Sequence, residues 1–178
     1  MNQGDKVSMS TSRHQTSFLM LETFCFRSYN AKISGFGIAK IDRPNDFDDI
    51  HTNCFNTSVY AAPEYTGTFN LHMKSDVYGF GVVLVETLTG LSAKGRYHLR
   101  KLRECPLVDL FRFCFSDRRW FKNMMDPQLK GKYTLKAAVQ ISQLALTCLH
   151  PEPKGRPSMK EVVEKLESNE SGKENPKI

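Results

Sequence analysis

Three features of common protein classes are missing from the 178-residue sequence. Its longest apolar run covers about nine residues, at positions 77–85, whereas a membrane-spanning helix needs about 20. None of the five cysteines belongs to a Cys-x-x-Cys pair, which argues against a zinc site or a disulfide framework. The first residues show neither a signal-peptide pattern nor a glycine at position 2 for myristoylation. We therefore expect a cytoplasmic protein with reduced cysteines and no transmembrane segment.

Composition and charge are those of an ordinary globular protein. Hydrophobic residues make up 40% of the chain and charged residues 25%, which suits a single domain with a buried core. The net charge is +6, and five basic residues fall between positions 94 and 103. This basic cluster has only Tyr97 among it to stack on nucleic-acid bases. We interpret the cluster as a solvated face and expect no nucleic-acid partner, with a nucleic-acid patch as the alternative.

The N-terminal third is predicted to contain one small β-hairpin between irregular segments. Residues 1–17 are polar and aperiodic, and we expect residues 1–21 to form a disordered or degenerate N-terminal segment. Residues 18–26 are apolar and residues 31–34 follow a turn-like segment, which together is typical of a hairpin. Residues 42–56 contain Pro44, Asn45 and four aspartates, which predicts a long mobile loop.

Helices are predicted in the remainder of the chain, which makes the fold class mainly α. Residues 75–89 are apolar on nearly every face, as in a central buried helix, and Gly90 is suited to its C-terminal end. A second helix is predicted over residues 107–115 and a third over residues 135–149. The third helix carries one stripe that comprises Leu135, Ala138, Ser142, Ala145 and Leu149.

The fourth predicted helix begins with a capping box. In this motif Ser158 and Glu161 satisfy each other's backbone groups at the helix end. The pattern predicts that Val162, Val163 and Leu166 face the core. Beyond the helix the sequence is polar, and we expect residues 168–178 to form a flexible tail.

Three motifs occur in a fixed order across the helical region. The segment APE at positions 62–64 is followed by SDVYGFG at 75–81 and RPSM at 156–159. APE alone is weak, but all three in order, with helices between them, are specific. Together they resemble the C-terminal lobe of a eukaryotic protein kinase, and YNAKISGFGIAK and YAAPEY resemble plant receptor-like cytoplasmic serine/threonine kinases. The resemblance covers about residues 22–167 and implies a kinase-like C-terminal lobe, with the N-terminal ATP-binding lobe missing from this sequence.

The resemblance gives a meaning to the two glycines of AKISGFGIAK at positions 31–40. In the family this stretch resembles Asp-Phe-Gly, whose aspartate holds magnesium on ATP. Gly35 stands at the position of that aspartate, and glycine offers no side-chain oxygen to a hard cation. The alternative, a flexible turn, explains the backbone but not the missing ligand.

The catalytic loop implied by the resemblance is altered as well. Counting back from Gly35 by the spacing of the family puts Glu22 at the place of the loop asparagine, Ser17 at the place of the base aspartate and Leu19 at the place of the loop lysine. Ser17 is a poor proton acceptor at neutral pH, so the base is lost. No G-x-G-x-x-G loop occurs either. We therefore expect no catalytic, cofactor-binding or metal-binding residue, although ATP and magnesium are the cofactors of the family.

Other residues take structural roles by the same resemblance. We expect Glu64 and Arg156 to form a buried ion pair that ties the APE segment to the helical base. Asp76 resembles a structural aspartate that hydrogen-bonds the catalytic-loop backbone, and we expect it to be under-satisfied because that loop is altered. The activation and substrate-binding loop is expected to contain Thr52, Thr57 and Tyr60.

The function expected from these residues is that of a truncated, catalytically inactive kinase-like fragment that binds proteins. Full-length kinases or receptor complexes are the expected partners, and they would hold the protein peripherally at the plasma membrane. Two alternatives stay open: an active serine/threonine kinase in which Glu22 supplies a metal oxygen, and a truncated gene product without independent function. Candidate contact surfaces are a docking helix over residues 107–120 and a self-associating apolar face of Phe18, Leu19, Phe24, Phe26 and Phe36.

Overall fold

The computed structural model describes residues 15–17, 22–25, 31–34, 40–42, 59–68, 73–99 and 102–171. Within these ranges the chain is mainly helical, as the sequence predicts, with short antiparallel strands beside the helices. Four of the predicted site residues lie outside the described residues: Leu19, Gly35, Thr52 and Thr57. The same holds for most of the expected apolar face, of which only the backbone of Phe24 is described.

Four strands form two antiparallel pairs in the N-terminal region. The strands are β1 (Gln15–Ser17), β2 (Glu22–Cys25), β3 (Ala31–Ser34) and β4 (Lys40–Asp42). Strands β2 and β3 pair with Glu22 opposite Ser34, which confirms the predicted hairpin. Strand β1 pairs with β4, so the expectation of disorder is wrong for residues 15–17. Local periodicity missed β1 because its hydrogen-bonding partner is far away in the sequence.

Six helices follow in the described part of the chain, together with one further hairpin. The helices are α1 (Pro63–Thr68), α2 (Met73–Thr89), α3 (Leu107–Ser116), α4 (Arg118–Met124), α5 (Leu135–Cys148) and α6 (Met159–Ser171). The hairpin pairs β5 (Tyr97–Leu99) with β6 (Leu102–Cys105). Short 3-10 helices lie at Pro127–Leu129 and Pro153–Gly155. No described helix is both long and apolar enough to cross a membrane.

Helix α2 is the centre of the core, as its apolar sequence predicts. Val77, Val82 and Val85 are fully buried, and α5 packs against this helix. A Cβ on Gly81 would lie 2.9 Å from the Cβ of Cys148, so this glycine permits the close approach of the two helices. Burial at the contact raises the pKa of the Cys148 thiol to about 11. Helix α2 ends at Thr89, and the next residue, Gly90, has a φ of 67°, a left-handed conformation that favours glycine.

The predicted core faces of α5 and α6 are correct except at two positions. Ala138, Ser142, Ala145 and Leu149 are buried as expected, but Leu135 is 47% exposed because it is the first residue of α5. Val163 is 46% exposed, whereas Val162 is fully buried. Adjacent residues on a helix point about 100° apart, so Val162 and Leu166 share a face from which Val163 diverges.

The start of α6 agrees with the prediction made from the sequence, whereas its end does not. The capping box is confirmed: the backbone N–H and hydroxyl of Ser158 donate to Glu161 Oε2, and Glu161 N–H donates back to Ser158 Oγ. The helix continues to Ser171, so the expectation of a flexible tail from residue 168 is wrong for residues 168–171. Near this end the side-chain amide of Asn169 donates to the carbonyl of Lys165.

The docking helix predicted over residues 107–120 is not one helix. Helix α3 ends at Ser116, Asp117 has an extended backbone, and α4 begins at Arg118. The apolar face of α3 is in the core, where Leu107, Leu110, Phe111 and Cys114 are buried. The apolar periodicity of these four residues therefore reflects packing against the domain.

Candidate functional site

The APE segment forms the start of a short helix whose first turn carries Glu64. Pro63 begins α1, where its missing N–H costs nothing, and the carbonyl of Ala62 accepts from the N–H groups of Tyr65 and Thr66. Ala62 and Tyr65 are buried, which anchors the helix on the core. This anchoring holds the carboxylate of Glu64 at a fixed place against the helical base.

Arg156 meets Glu64 with both terminal nitrogens of its guanidinium. Nη1 donates to Glu64 Oε1 and Nη2 to Glu64 Oε2, each at 2.7 Å, across 92 residues of sequence. Two parallel hydrogen bonds of this kind are the strongest geometry between arginine and a carboxylate. The contact predicted between these two residues is therefore present in the structure. The Arg156 side chain has no exposed surface, and that of Glu64 is 15% exposed.

The remaining donors of Arg156 bind main-chain carbonyls. Nη1 also donates to the carbonyl of Lys74 at 2.9 Å, Nη2 to Pro151 at 2.8 Å and Nε to His150 at 2.7 Å. An arginine has five N–H donors, and these contacts use all of them. The guanidinium also lies 5.1 Å from the ring centre of Tyr78, a distance at which a cation is attracted to an aromatic face. The buried charge is thereby satisfied on every side.

Two neighbours complete the network around the ion pair. Ser75 Oγ donates to Glu64 Oε1 at 2.9 Å, and Lys74 Nζ donates to the carbonyl of Arg156 at 2.6 Å. Lys74 and Arg156 thus each bind the other's main chain. The network joins α1, the start of α2 and the segment before α6, and it lies at one end of the central helix.

The ionisation of Glu64 reflects two opposing effects. Burial alone would raise the pKa of Glu64, but hydrogen bonds from Arg156, the backbone and Ser75 lower it, and the charge of Arg156 acts in the same direction. The net result is a pKa below the usual value of 4.5. Burial raises the pKa of Tyr78 despite the opposing charges of Arg112 and Arg156. Glu64 is therefore ionised and Tyr78 neutral at physiological pH.

A second carboxylate binds the segment just before α1. Tyr60 donates its hydroxyl to both oxygens of Glu86, at 3.0 and 3.1 Å, and the N–H of Ala93 donates to Glu86 Oε1 at 2.7 Å. This contact holds Tyr60 of the expected substrate-binding loop against the last turns of α2. Sequence reasoning missed Glu86, although a single acidic residue within the apolar run of α2 was a signal for a buried polar contact.

The other predicted site residues are only partly located. Ser17 lies at the end of β1 opposite Lys40, and Glu22 lies at the start of β2 opposite Ser34. Their side chains are outside the described part of the structure. Asp76 is half-buried in the first turn of α2 and has an interaction partner, and the expectation that it is under-satisfied stays a prediction. Among the described residues, no group of three or more His, Cys, Asp or Glu side chains could hold a metal ion.

The described site is chemically suited to holding segments together. Glu64 and Arg156 are engaged by each other and by further hydrogen bonds. What the geometry provides is a rigid platform that fixes α1 and the residues before it on the helical base.

Comparison with known proteins gives the relatives of this chain. The family of protein tyrosine and serine/threonine kinases matches residues 20–166. The chain is 43% identical over 153 residues to serine/threonine-protein kinase PBL34 of Arabidopsis thaliana, covering 85% of this chain and 30% of that protein. It is 40% identical over 178 residues to receptor-like cytoplasmic kinase 176 of Oryza sativa subsp. japonica, covering 98% and 43%.

A third relative comes from another plant. The EPD1-interacting receptor-like cytoplasmic serine/threonine-protein kinase of Nicotiana benthamiana is 43% identical over 139 residues, which are 78% of this chain and 30% of that protein. The chain thus spans between 30% and 43% of the length of these three curated relatives.

Proposed function

Because this chain belongs to the protein tyrosine and serine/threonine kinase family, as a relative of plant receptor-like cytoplasmic kinases, we propose that it is a kinase-domain C-terminal lobe that binds other proteins without transferring phosphate. The mainly helical architecture and the APE, SDVYGFG and RPSM segments support assignment to the C-terminal lobe. Full-length kinases of the same family, or receptor complexes that contain them, are the proposed partners.

One contrast carries the proposal. The residues that fix the fold are kept, since Glu64 and Arg156 form a fully satisfied ion pair. The residues that would carry the chemistry are replaced, since glycine stands at position 35 and serine at position 17. Phosphoryl transfer depends on metal ions that neutralise the phosphates and on a base that orients the acceptor hydroxyl. A chain that keeps the platform and loses both groups is suited to binding rather than to catalysis.

A phosphate-transfer assay tests the catalytic part of the proposal. The purified chain is incubated with radiolabelled ATP, magnesium and a generic protein substrate, beside a full-length receptor-like cytoplasmic kinase as positive control. We expect no labelling above background. Melting in millimolar Mg-ATP supplies an independent readout, since a ligand at about 100 times its dissociation constant would add about 2.7 kcal/mol of stability. We expect no such shift, and labelling by the purified chain would overturn this part of the proposal.

An active serine/threonine kinase is the second candidate, and one observation favours it. The pairing of β2 with β3 puts Glu22 opposite Ser34, the residue immediately before Gly35. A carboxylate at position 22 could therefore supply a metal oxygen beside the position from which the aspartate is lost. Labelling that disappears in a Glu22→Gln variant, and persists in a Glu104→Gln variant on the exposed hairpin, would establish this candidate instead.

Sedimentation tests the protein-binding part. The chain is centrifuged alone and with a purified full-length relative, for which rice receptor-like cytoplasmic kinase 176 is a suitable probe. We expect the two proteins to co-sediment with a defined stoichiometry. A chain that remains monomeric and shows no interaction with this kinase at the highest soluble concentration would contradict binding to kinases of its own family.

A further inference from the structure

An exposed basic segment precedes α5 and enters its first turn, at residues 130–136. Every residue in it is exposed, and no other stretch of the described residues is exposed over as many consecutive positions. The segment contains Lys130, Lys132 and Lys136 and no acidic residue, and in the described part of the chain none of these lysines forms an ion pair. Its positive charge is therefore available to an acidic surface of a partner.

The middle of this segment stands clear of the core, although the chain is anchored on both sides of it. The N–H of Asp126 donates to the carbonyl of Leu88 at 2.9 Å, and Ala138, near the start of α5, is buried. Between these anchors, a Cβ on Gly131 would meet no atom within 4 Å. The backbone of Thr134 is extended, with φ −88° and ψ 148°. Another protein can thus reach the segment without unfolding the helices beside it.

Thr134 supplies the one aliphatic hydroxyl of the segment. Its Oγ1 accepts from the N–H of Ala137 at 3.1 Å, which uses one of its two lone pairs, and its proton is donated to no acceptor among the described residues. Lysines lie four and two positions before it and two positions after it. Kinases select their substrates partly by charge pattern, and an exposed hydroxyl among lysines suits a kinase whose substrate groove is acidic.

A second hydroxyl has the same spacing of basic residues, and the structure separates the two. The sequence KGRPSMK at positions 154–160 puts basic residues around Ser158 as KGKYTLK at positions 130–136 puts them around Thr134. Ser158, however, donates to the carboxylate of Glu161 at 2.8 Å and accepts from the Glu161 N–H at 3.3 Å. The arginine two positions before it, Arg156, has no exposed surface. Only Thr134 combines a free hydroxyl proton with basic neighbours that are all exposed.

We propose that Thr134 is a phosphorylation site for a serine/threonine kinase that selects basic segments, and that a full-length relative bound to this chain is that kinase. Thr134 Oγ1 attacks the γ-phosphorus of ATP, the bond from that phosphorus to the bridging oxygen breaks, ADP leaves, and the hydroxyl proton passes to the base of the kinase. The phosphate, with a charge of about −2 at pH 7, offsets most of the charge of the three lysines. The identity of the kinase rests on the protein-binding part of the proposed function.

Phosphate mapping by mass spectrometry on the folded full chain tests the site. The chain is incubated with ATP, magnesium and rice receptor-like cytoplasmic kinase 176, at a kinase concentration that labels a generic protein substrate, and a parallel reaction omits the kinase. We expect phosphate on Thr134 only with the kinase present, at an initial rate at least about tenfold above that at Ser158, whose hydroxyl must first leave a hydrogen bond to a charged group. Between synthetic peptides of residues 130–136 and 154–160, which lack the fold, this difference should be smaller.

Substitutions locate the acceptor and its recognition. Thr134→Asn removes the hydroxyl but keeps a side chain that can cap α5, so it should eliminate phosphate at this position, whereas Thr134→Ser should retain it. Lys130→Gln combined with Lys132→Gln should lower the initial rate at Thr134 at least about threefold, as the loss of one exposed ion pair would. Lys94→Gln combined with Lys160→Gln is the matched control, because it removes the same charge from exposed positions outside the segment and should leave that rate unchanged. Circular dichroism verifies that each variant is folded.

Three results would overturn the inference: absence of phosphate from Thr134, equal or faster phosphorylation of Ser158 or Tyr133, and a rate at Thr134 that the Lys130→Gln and Lys132→Gln pair leaves unchanged. Phosphate on Thr134 without the rice kinase would reject both the assigned kinase and the proposed lack of phosphate transfer. Co-sedimentation of the two proteins without phosphate on Thr134 would keep the proposed function and reject the site. Phosphate on Thr134 without co-sedimentation would keep the site and reject stable binding.

Discussion

Glu64 and Glu86 are two carboxylates that fasten the same stretch of chain, and the structure satisfies them in different ways. Glu64 meets a fully buried guanidinium with two charged hydrogen bonds, whereas Glu86 is held by a tyrosine hydroxyl and a backbone N–H, both neutral. Removing Arg156 leaves the Glu64 carboxylate with the Ser75 hydroxyl but without its cation, whereas removing the Tyr60 hydroxyl takes no charge away from Glu86. The difference teaches that two contacts of similar length need not contribute equally to stability.

Among the variants that test this comparison, Arg156→Ala should lower the free energy of unfolding the most. Arg156→Ala leaves Glu64 without its cation and removes hydrogen bonds to three main-chain carbonyls, so we expect a loss of about 3–5 kcal/mol in urea unfolding. Arg156→Lys keeps a charge but not the planar fork, and it should recover only part of the loss. Arg112→Ala is the matched control, because Arg112 is exposed and donates only one observed hydrogen bond, to the carbonyl of Leu149.

A double-mutant cycle isolates the pair itself. Unfolding of Glu64→Ala, Arg156→Ala and the double variant gives their coupling free energy. A coupling below about 0.5 kcal/mol, the size expected of an exposed pair, would mean that the ion pair does not hold the helical base together.

Removing the hydroxyl of Tyr60 should lower the free energy of unfolding by an intermediate amount. Tyr60→Phe leaves Glu86 with the N–H of Ala93, so we expect a loss of about 1.5–3 kcal/mol, the range for a hydrogen bond to a charged group. Tyr97→Phe is the control, because its hydroxyl donates to the carbonyl of Ser92 at an exposed position. A loss from Tyr60→Phe as large as that from Arg156→Ala would refute the distinction drawn between the two carboxylates.

The two carboxylates also differ in how far the sequence predicts them. The APE and RPSM segments identify Glu64 and Arg156 by resemblance. The two residues are 92 positions apart in the sequence, so no local pattern could have predicted their contact. Glu86 lies in no such motif. A hydrophobic pattern indicates which face of a helix is buried, but it does not indicate which polar group a carboxylate on that helix contacts. The prediction that Val163 faces the core was wrong for a related reason. Its apolar composition suggested a core position, but adjacent residues on a helix point in different directions, and here Val162 faces the core instead.

Strand pairing was less predictable than helix formation. The helices α2, α3, α5 and α6 follow from apolar spacing and end signals within one window of sequence. The hairpin of β5 and β6 lies within the basic cluster, where charge conceals the alternation of a strand. Positions 17 and 22 were placed by resemblance, and the structure adds only their strand partners.

Acid should weaken the Glu64 contact by a smaller amount than truncation does. The pKa of Glu64 is lower in the folded than in the unfolded chain, so its stabilising contribution is present above the usual value of 4.5 and is lost as pH falls through the folded value. We expect stability to fall with pH in that acidic range, and to fall less in Glu64→Gln. Hydrogen bonds from the backbone and hydroxyl of Ser158 also lower the pKa of Glu161, so the measurement is made in a Glu161→Gln background. Equal slopes for the two chains would show that Glu64 is not the group responsible.

The smallest change in unfolding free energy is expected at the ion pair on the outer face of α6. Lys160 Nζ and Glu164 Oε1 lie 4.0 Å apart, one helical turn from each other, and both side chains are largely exposed. Water screens such charges and the long side chains lose freedom when they meet, so Lys160→Gln should change the unfolding free energy by at most about 0.5 kcal/mol. Urea melts in low and high salt check this, with salt expected to remove whatever difference exists. A salt-resistant loss approaching that of Arg156→Ala would mean that burial and a complete set of hydrogen bonds are not what separates the Glu64 contact from an ordinary surface pair.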